Sequence, residues 1–239
     1  MKIKNTKVII LCGGLGSRLV EETSVKPKPM VKIGNLPILI HIMRIYYKNG
    51  FRNFILALGY KKDFIIKYFK NSKFKEKWNI ELINTGKKTL TAKRLLLLKN
   101  RLVKDNFFLL TYGDGVSNVN INKLINFHLK HKKIATVTAV RPPARFGELK
   151  FNGNIVSKFD EKNQVNSGWI NGGFFVFSKK IFNFIPKKKD TMLEREMMKN
   201  LTKKKELIAF KHNGFWQCMD TLRDKHLLNS YWKNKKNLW

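Results

Sequence analysis

Two blocks near the start of the chain have the residue types that bind phosphate. The first, Leu11-Cys12-Gly13-Gly14-Leu15-Gly16-Ser17-Arg18-Leu19, follows a short apolar run. Closely spaced glycines let backbone N–H groups reach an anion with no side chain in the way. Arg18 adds a planar fork of donors suited to phosphate oxygens. Two familiar loops are excluded. Leu19 stands where the dinucleotide fingerprint needs its third glycine, and Gly16-Ser17 replaces the Gly-Lys of a Walker A loop. What remains is a third kind of phosphate loop or a tight turn. The second block, Lys26-Pro27-Lys28-Pro29-Met30, frames Lys28 with two prolines. They restrict the backbone and reduce the entropy lost when that lysine is held on a ligand. The alternative for any single lysine is a solvated loop.

Two carboxylates stand out further on. Asp114 lies between glycines in Tyr112-Gly113-Asp114-Gly115, just after the apolar run Phe107 to Leu110. There it either approaches a ligand closely or makes an Asp-Gly turn. An EF-hand is excluded because Val116 occupies the third loop position. Asp220 precedes a segment with helical character, where a helix N-cap is the alternative to ligand binding. Asn171, in the apolar run Ile170-Asn171-Gly172-Gly173-Phe174-Phe175, is an amide that needs a partner, and a sugar hydroxyl would serve.

These residues have to be held by a scaffold. Val8 to Cys12 reads as a strand buried on both faces. Pro37 opens and Gly50 closes a helix over Ile38 to Asn49. Strands follow at Phe54 to Leu58, Ile80 to Ile83, Phe107 to Thr111 and Ile134 to Val140. They alternate with helices at Asp63 to Phe69, Thr91 to Asn100 and Ile121 to His131. This alternation predicts an α/β fold with a mostly parallel sheet covered on both sides. Leu149 to Phe151, Ile155 to Phe159 and Ile170 to Phe177 read as further strands, and Met192 to Leu201 and Leu222 to Trp232 as helices. No linker, repeat or low-complexity tract interrupts the 239 residues, so a single compact domain is expected.

Composition narrows the function classes. A 43% hydrophobic fraction excludes a disordered chain. Two cysteines, Cys12 and Cys218, argue against a disulfide scaffold and fit a reducing cytosol. The apolar run after the basic N-terminus stops at Gly13, too short for a signal peptide or a membrane span. A cytoplasmic protein is expected. The formal net charge is +33, but the lysines are dispersed and no nucleic-acid consensus accompanies them. We read that charge as spread over solvated faces, with no nucleic-acid or membrane partner. A basic nucleic-acid-binding protein on a degenerate transferase fold is the reading from another class.

The ordered series of motifs resembles the sugar nucleotidyltransferase superfamily along nearly the whole chain. It comprises Gly13 to Leu19, Lys26 to Met30, Ile33-Gly34, Pro37-Ile38-Leu39, Asn84-Thr85-Gly86, Thr111 to Gly115, Arg145-Phe146-Gly147, Ile170 to Phe175, and Gly214 to Asp224. Glu21-Glu22-Thr23, where most of the superfamily carries proline and threonine, is similar to the glucose-1-phosphate cytidylyltransferase branch. The resemblance implies a Rossmann-like, mixed and mostly parallel sheet flanked by helices, with a smaller β-rich sugar-binding subregion. It implies a nucleotide-binding part over 1–140, and a sugar-phosphate-binding part with the C-terminal helix over 141–239.

The implied reaction is condensation of CTP with α-D-glucose 1-phosphate to CDP-glucose and pyrophosphate, with dTTP, UTP or GTP as alternatives. Such a product supplies deoxysugar synthesis for surface polysaccharide. By resemblance, Arg18 and Lys28 are catalytic, Asp114 and Asp220 hold Mg²⁺, and Leu11, Gly13, Gly14, Leu15, Gly16, Ser17, Thr89, Arg94 and Asp114 meet the nucleotide. Gly147, Glu161, Lys162, Asn171 and Gly172 meet the sugar phosphate. Asn163 departs from the family's Glu-Lys-Pro element, and Cys218 stands where the family usually has proline. The family pattern also implies a homo-oligomer. Between Phe69 and Ile80, however, the chain lacks an insertion that contributes to subunit contacts and the nucleotide environment in this branch.

Overall fold

The computed structural model describes residues 5–143, 147–160, 168–187, 189–234, 236, 238 and 239. In chain order the main elements are β1 (Lys7–Cys12), α1 (Ile38–Lys48), β2 (Asn53–Leu58), α2 (Lys62–Asn71), β3 (Asn79–Asn84), α3 (Thr91–Leu97), β4 (Phe107–Tyr112), β5 (Gly115–Ser117), α4 (Ile121–His131), β6 (Ala135–Val140), β7 (Glu148–Asn152), β8 (Ile155–Asp160), β9 (Ile170–Ser178), α5 (Met198–Lys203), β10 (Leu207–His212), β11 (Trp216–Cys218) and α6 (Leu222–Lys233). Seven strands form one sheet in the order β10-β6-β9-β4-β1-β2-β3.

The sheet is mixed and mostly parallel. β1 pairs in parallel with both β4 and β2, β2 with β3, and β10 with β6. Only β9 runs the other way, antiparallel to β4 and β6. β1 is apolar throughout because both its faces are covered. Val8, Ile10 and Cys12 pack into one buried layer with α1, while Ile9 and Leu11 pack into the other with α3. Chain order reverses between β1 and β4, so the loops after these strands flank a topological switch point, where open α/β sheets bind ligands.

Several expected elements differ in detail. The helix expected over Thr91 to Asn100 breaks at Leu98 (φ −90°, ψ 0°), and a separate turn covers Lys99–Leu102. The segment expected as a helix from Met192 begins as a π-helical turn, Leu193–Met197, before α5. β10 was not expected from the sequence. It is an edge strand with alternating partial exposure, and its Leu-Ile-Ala-Phe-Lys-His run follows a lysine-rich stretch with no glycine or proline before it. The expected β-rich subregion is the two-stranded ribbon β7–β8, which stands apart from the main sheet. β9 instead joins the main sheet, so residues from both halves of the chain build one core. Among the described residues no helix is long and apolar enough to cross a membrane.

Candidate active site

The loops after β1 and β4 open onto a cleft of about 940 Å³. Its wall contains Leu11, Gly13, Gly14, Leu15, Gly16, Ser17, Arg18, Lys28, Thr89, Arg94, Asp114, Asn171, Gly172 and Asp220. Every described residue named from the sequence is therefore in the wall except Gly147, which is exposed at the start of the ribbon. Glu161 and Lys162 lie outside the described residues.

The glycine loop keeps its shape through local contacts. Gly16 adopts φ 68°, in the left-handed region, and a Cβ there would come within 2.7 Å of Thr23 Cγ2. The buried Thr23 hydroxyl is shared between the carbonyls of Gly16 (3.0 Å) and Leu19 (2.9 Å). Glu22 accepts from Lys225 of α6 and pairs with Lys26 at 2.9 Å. Hydrogen bonds from these two lysines, Lys225 first, hold its carboxyl below the ordinary glutamate range. The Glu21-Glu22-Thr23 segment thus ties the glycine loop to the last helix. Neither Glu22 nor Thr23 lines the cleft.

Arg94 is only 3% exposed. Its Nη1 donates to Leu58 O (3.1 Å), Thr85 Oγ1 (2.6 Å) and Gly86 O (2.8 Å), and its Nη2 to Gly13 O (2.9 Å). Burial lowers its pKa. The guanidinium is committed to the backbone beneath Gly13, where a Cβ would overlap it at 2.2 Å. A basic residue expected to meet the nucleotide thus supports the loop from below.

At the other end of the glycine loop, Lys28 Nζ lies 2.6 Å from Asp114 Oδ2 and 2.5 Å from Asp220 Oδ1. Arg18 Nη1 reaches Asp220 Oδ2 at 2.8 Å, and its side chain is 72% exposed. Burial opposes the charge on Lys28, but the two carboxylates outweigh it and raise the pKa. Burial likewise pushes Asp220 up, and Lys28 and Arg18 overcome this to hold it below the ordinary carboxylate value. The cap of α6 is Thr221, in a capping box with Asp224. Asp220 precedes it with its carboxylate turned into the cleft. Cys218 is partly buried, with Sγ 3.7 Å from Asp220 Oδ2. Burial first, then Asp220, raises its thiol to about 12, so it stays protonated.

Two hard oxygen donors converging on one ammonium suit a small cation. Mg²⁺ takes one or two carboxylates and fills its octahedron with phosphates and water. The arrangement can neutralise a polyphosphate from several sides while the backbone of the glycine loop lies against it. The sequence profile of the Nucleotidyl transferase family matches residues 7–234. The chain belongs to the nucleotidyl transferase family.

Among its relatives is the glucose-1-phosphate cytidylyltransferase of Salmonella typhimurium, 43% identical over 98% of both chains. A probable glucose-1-phosphate cytidylyltransferase of Bacillus subtilis is 41% identical over the same shares. The Salmonella alignment spans 253 positions against the 239 residues of this transferase, so that relative carries residues this one lacks. Among solved structures, HddC from Yersinia pseudotuberculosis has a TM-score of 0.70 at 25% identity, covering 95% of this chain and 99% of that one. A UDP-glucose pyrophosphorylase, at 14% identity, has a TM-score of 0.73 over 97% and 99% and shares the fold.

The sequence did not single out Tyr112, Glu194 and Trp216 of this transferase as wall residues. Trp216 Nε1 donates to Gly172 O at 2.7 Å and fixes the strand that presents Asn171. The signal for Trp216 and Tyr112 was their place in motifs beside glycines. Glu194 gave none.

Proposed function

We propose that this transferase joins CTP to α-D-glucose 1-phosphate, forming CDP-glucose and pyrophosphate. The convergence of Lys28, Arg18, Asp114 and Asp220 beside the glycine loop carries this reading. The names of the Salmonella and Bacillus relatives support the choice of substrates.

The chemistry is an in-line displacement. A phosphate oxygen of the sugar phosphate bonds to the α-phosphorus as the bond from that phosphorus to the β-phosphate oxygen breaks. The electron pair departs on pyrophosphate. The nucleophile is already ionised, so positioning and charge neutralisation suffice. Arg18, exposed at the cleft mouth, meets the leaving pyrophosphate, and Lys28 meets the triphosphate near the reacting phosphorus. Leu11, Gly13 to Ser17 and Thr89 receive the nucleotide, with Arg94 bracing Gly13. Asn171 and Gly172 receive sugar hydroxyls, while Gly147, Glu161 and Lys162 complete the sugar-phosphate side. Asp114 and Asp220 would hold Mg²⁺, which would supply charge neutralisation to the phosphates.

On this reading residues 1–140 serve the nucleotide and 141–239 the sugar phosphate. The protein works in the cytoplasm as a homo-oligomer, supplying nucleotide sugar for deoxysugar synthesis in surface polysaccharide. Incubation with CTP, glucose 1-phosphate and Mg²⁺ should yield CDP-glucose and pyrophosphate in equal amounts. Pyrophosphate without a nucleotide sugar would mean hydrolysis and overturn the proposal.

A further inference from the structure

One chain of hydrogen bonds crosses the cleft wall between the first residue of α3 and the strand β9. Glu194, in the π-helical turn, accepts from Tyr112 OH through Oε1 (2.5 Å) and from Thr91 Oγ1 through Oε2 (3.0 Å). Leu193 N–H donates to the same Thr91 hydroxyl at 2.7 Å, which fixes the turn on α3. Tyr112 OH in turn accepts from Asn171 Nδ2 at 3.1 Å. Asn171 Oδ1 accepts from Gly173 N–H at 2.9 Å. The Tyr112 ring packs edge-on against Phe175, with centroids 5.6 Å apart, and a Cβ on Gly173 would come within 2.5 Å of it. Tyr112, Asn171 and Glu194 all line the cleft.

The direction of this chain follows from donor counting. An ionised carboxylate only accepts, and a phenol has a single hydrogen. Tyr112 OH and Glu194 Oε1 lie 2.5 Å apart, so the single hydrogen of the phenol must lie between them. The hydrogen goes to Glu194, and Tyr112 must therefore accept from Asn171. The Gly173 N–H holds the amide oxygen on the other side, so the amide cannot flip without losing both bonds. One Nδ2–H of Asn171 remains for a ligand.

We propose that Glu194 is a positioning residue for the sugar. Through Tyr112 it fixes Asn171 as a hydrogen-bond donor and so selects a substrate hydroxyl that accepts there. This rests on the assignment of Asn171 to the sugar made above. Glu194→Gln offers Tyr112 a donor as well as an acceptor, and the direction of the chain is then no longer imposed.

The test uses glucose 1-phosphate and its monodeoxy and monofluoro analogues with the native protein, Glu194→Gln and Tyr112→Phe. Calorimetric binding and steady-state turnover are both measured. Each variant should raise the glucose 1-phosphate Kd and KM about tenfold, one hydrogen bond's worth, with the CTP KM within about twofold. Tyr112→Phe combined with Glu194→Gln should cost no more than Tyr112→Phe alone, since both act through one chain. At the hydroxyl that Asn171 meets, fluorine accepts weakly and cannot donate, so the native protein should prefer the fluoro to the deoxy analogue. Glu194→Gln should erase that preference.

An unchanged fluoro-to-deoxy ratio at every position in a folded Glu194→Gln, or additive costs in the double variant, would overturn the proposal. Should Glu194→Gln fail to fold, a Tyr112→Phe with unaltered sugar Kd and fluoro-to-deoxy ratio overturns it equally. Native protein that binds glucose 1-phosphate but turns nothing over would remove the proposed reaction, and the variant Kd values would still decide the role of Glu194. No binding to the native protein removes both.

Discussion

Lys28 Nζ lies 2.5 Å from Asp220 Oδ1, a contact between residues 192 positions apart in the chain. Pro27 and Pro29 fix the approach of the lysine, and the capping box of α6 fixes that of the aspartate. Lys28→Ala and Asp220→Asn should each lower turnover about 10²–10³-fold, the usual loss for a charge-stabilising group. Circular dichroism and melting curves must show a folded protein for the comparison to count. Near-native turnover in either folded variant would contradict the assigned roles.

Arg94 should behave differently. Its removal takes a donor from the carbonyls of Gly13, Leu58 and Gly86; the first two keep the Tyr60 and Thr85 backbone N–H groups, and Gly86 loses its donor at the edge of a buried place. Arg94→Ala should cost about 2–4 kcal/mol in urea unfolding and raise the CTP KM. Arg94→Lys should not restore stability, because one ammonium cannot span the fork of acceptors. A variant with native stability but impaired CTP binding would instead place the guanidinium on the nucleotide.

Acidification probes the buried histidines. Burial holds His41 and His128 at about 4, against an ordinary 6.5. The folded protein keeps both neutral, while the unfolded chain takes up protons below pH 6.5. Their contribution is complete above pH 6.5 and is lost as pH falls toward 4, at about 1.4 kcal/mol per pH unit for each. His131 and His212 shift the same way. The lowered carboxylates of Glu22 and Asp220 lose their contribution only below their ordinary values of 4.5 and 3.8. Urea unfolding between pH 4.5 and 6.5 therefore isolates the histidines. His128→Asn should flatten the slope there, and an unchanged slope would contradict this account.

The glycine loop is sensitive to the smallest side chain. Gly16→Ala forces a Cβ into the left-handed region and against Thr23. A loss of about 1–2 kcal/mol in stability is expected, with a larger loss of CTP affinity than of glucose 1-phosphate affinity. Calorimetric titration of each substrate checks this. Equal losses for both would contradict a loop dedicated to the nucleotide.

Much of the site was legible because its signals are local. Gly13 to Arg18, the proline-framed Lys28, and Asp114 between glycines each carry their chemistry within a few residues. The apolar run of β1 announced a strand buried on both faces. What stayed hidden depends on contacts across the fold. Arg94, assigned to the nucleotide by resemblance, lies under Gly13, 81 positions away, a support that no local pattern announces. Glu194 meets Tyr112 across 82 positions from a π-helical turn that periodicity reads as ordinary helix. β10 is an edge strand whose pairing with β6, a segment far earlier in the chain, gives the sheet its seventh member.

The most direct test compares kcat/KM for glucose 1-phosphate paired with CTP, UTP, dTTP or GTP under Mg²⁺, by pyrophosphate release. The account predicts turnover with CTP at least about tenfold above the others. No pyrophosphate with any of the four would contradict it.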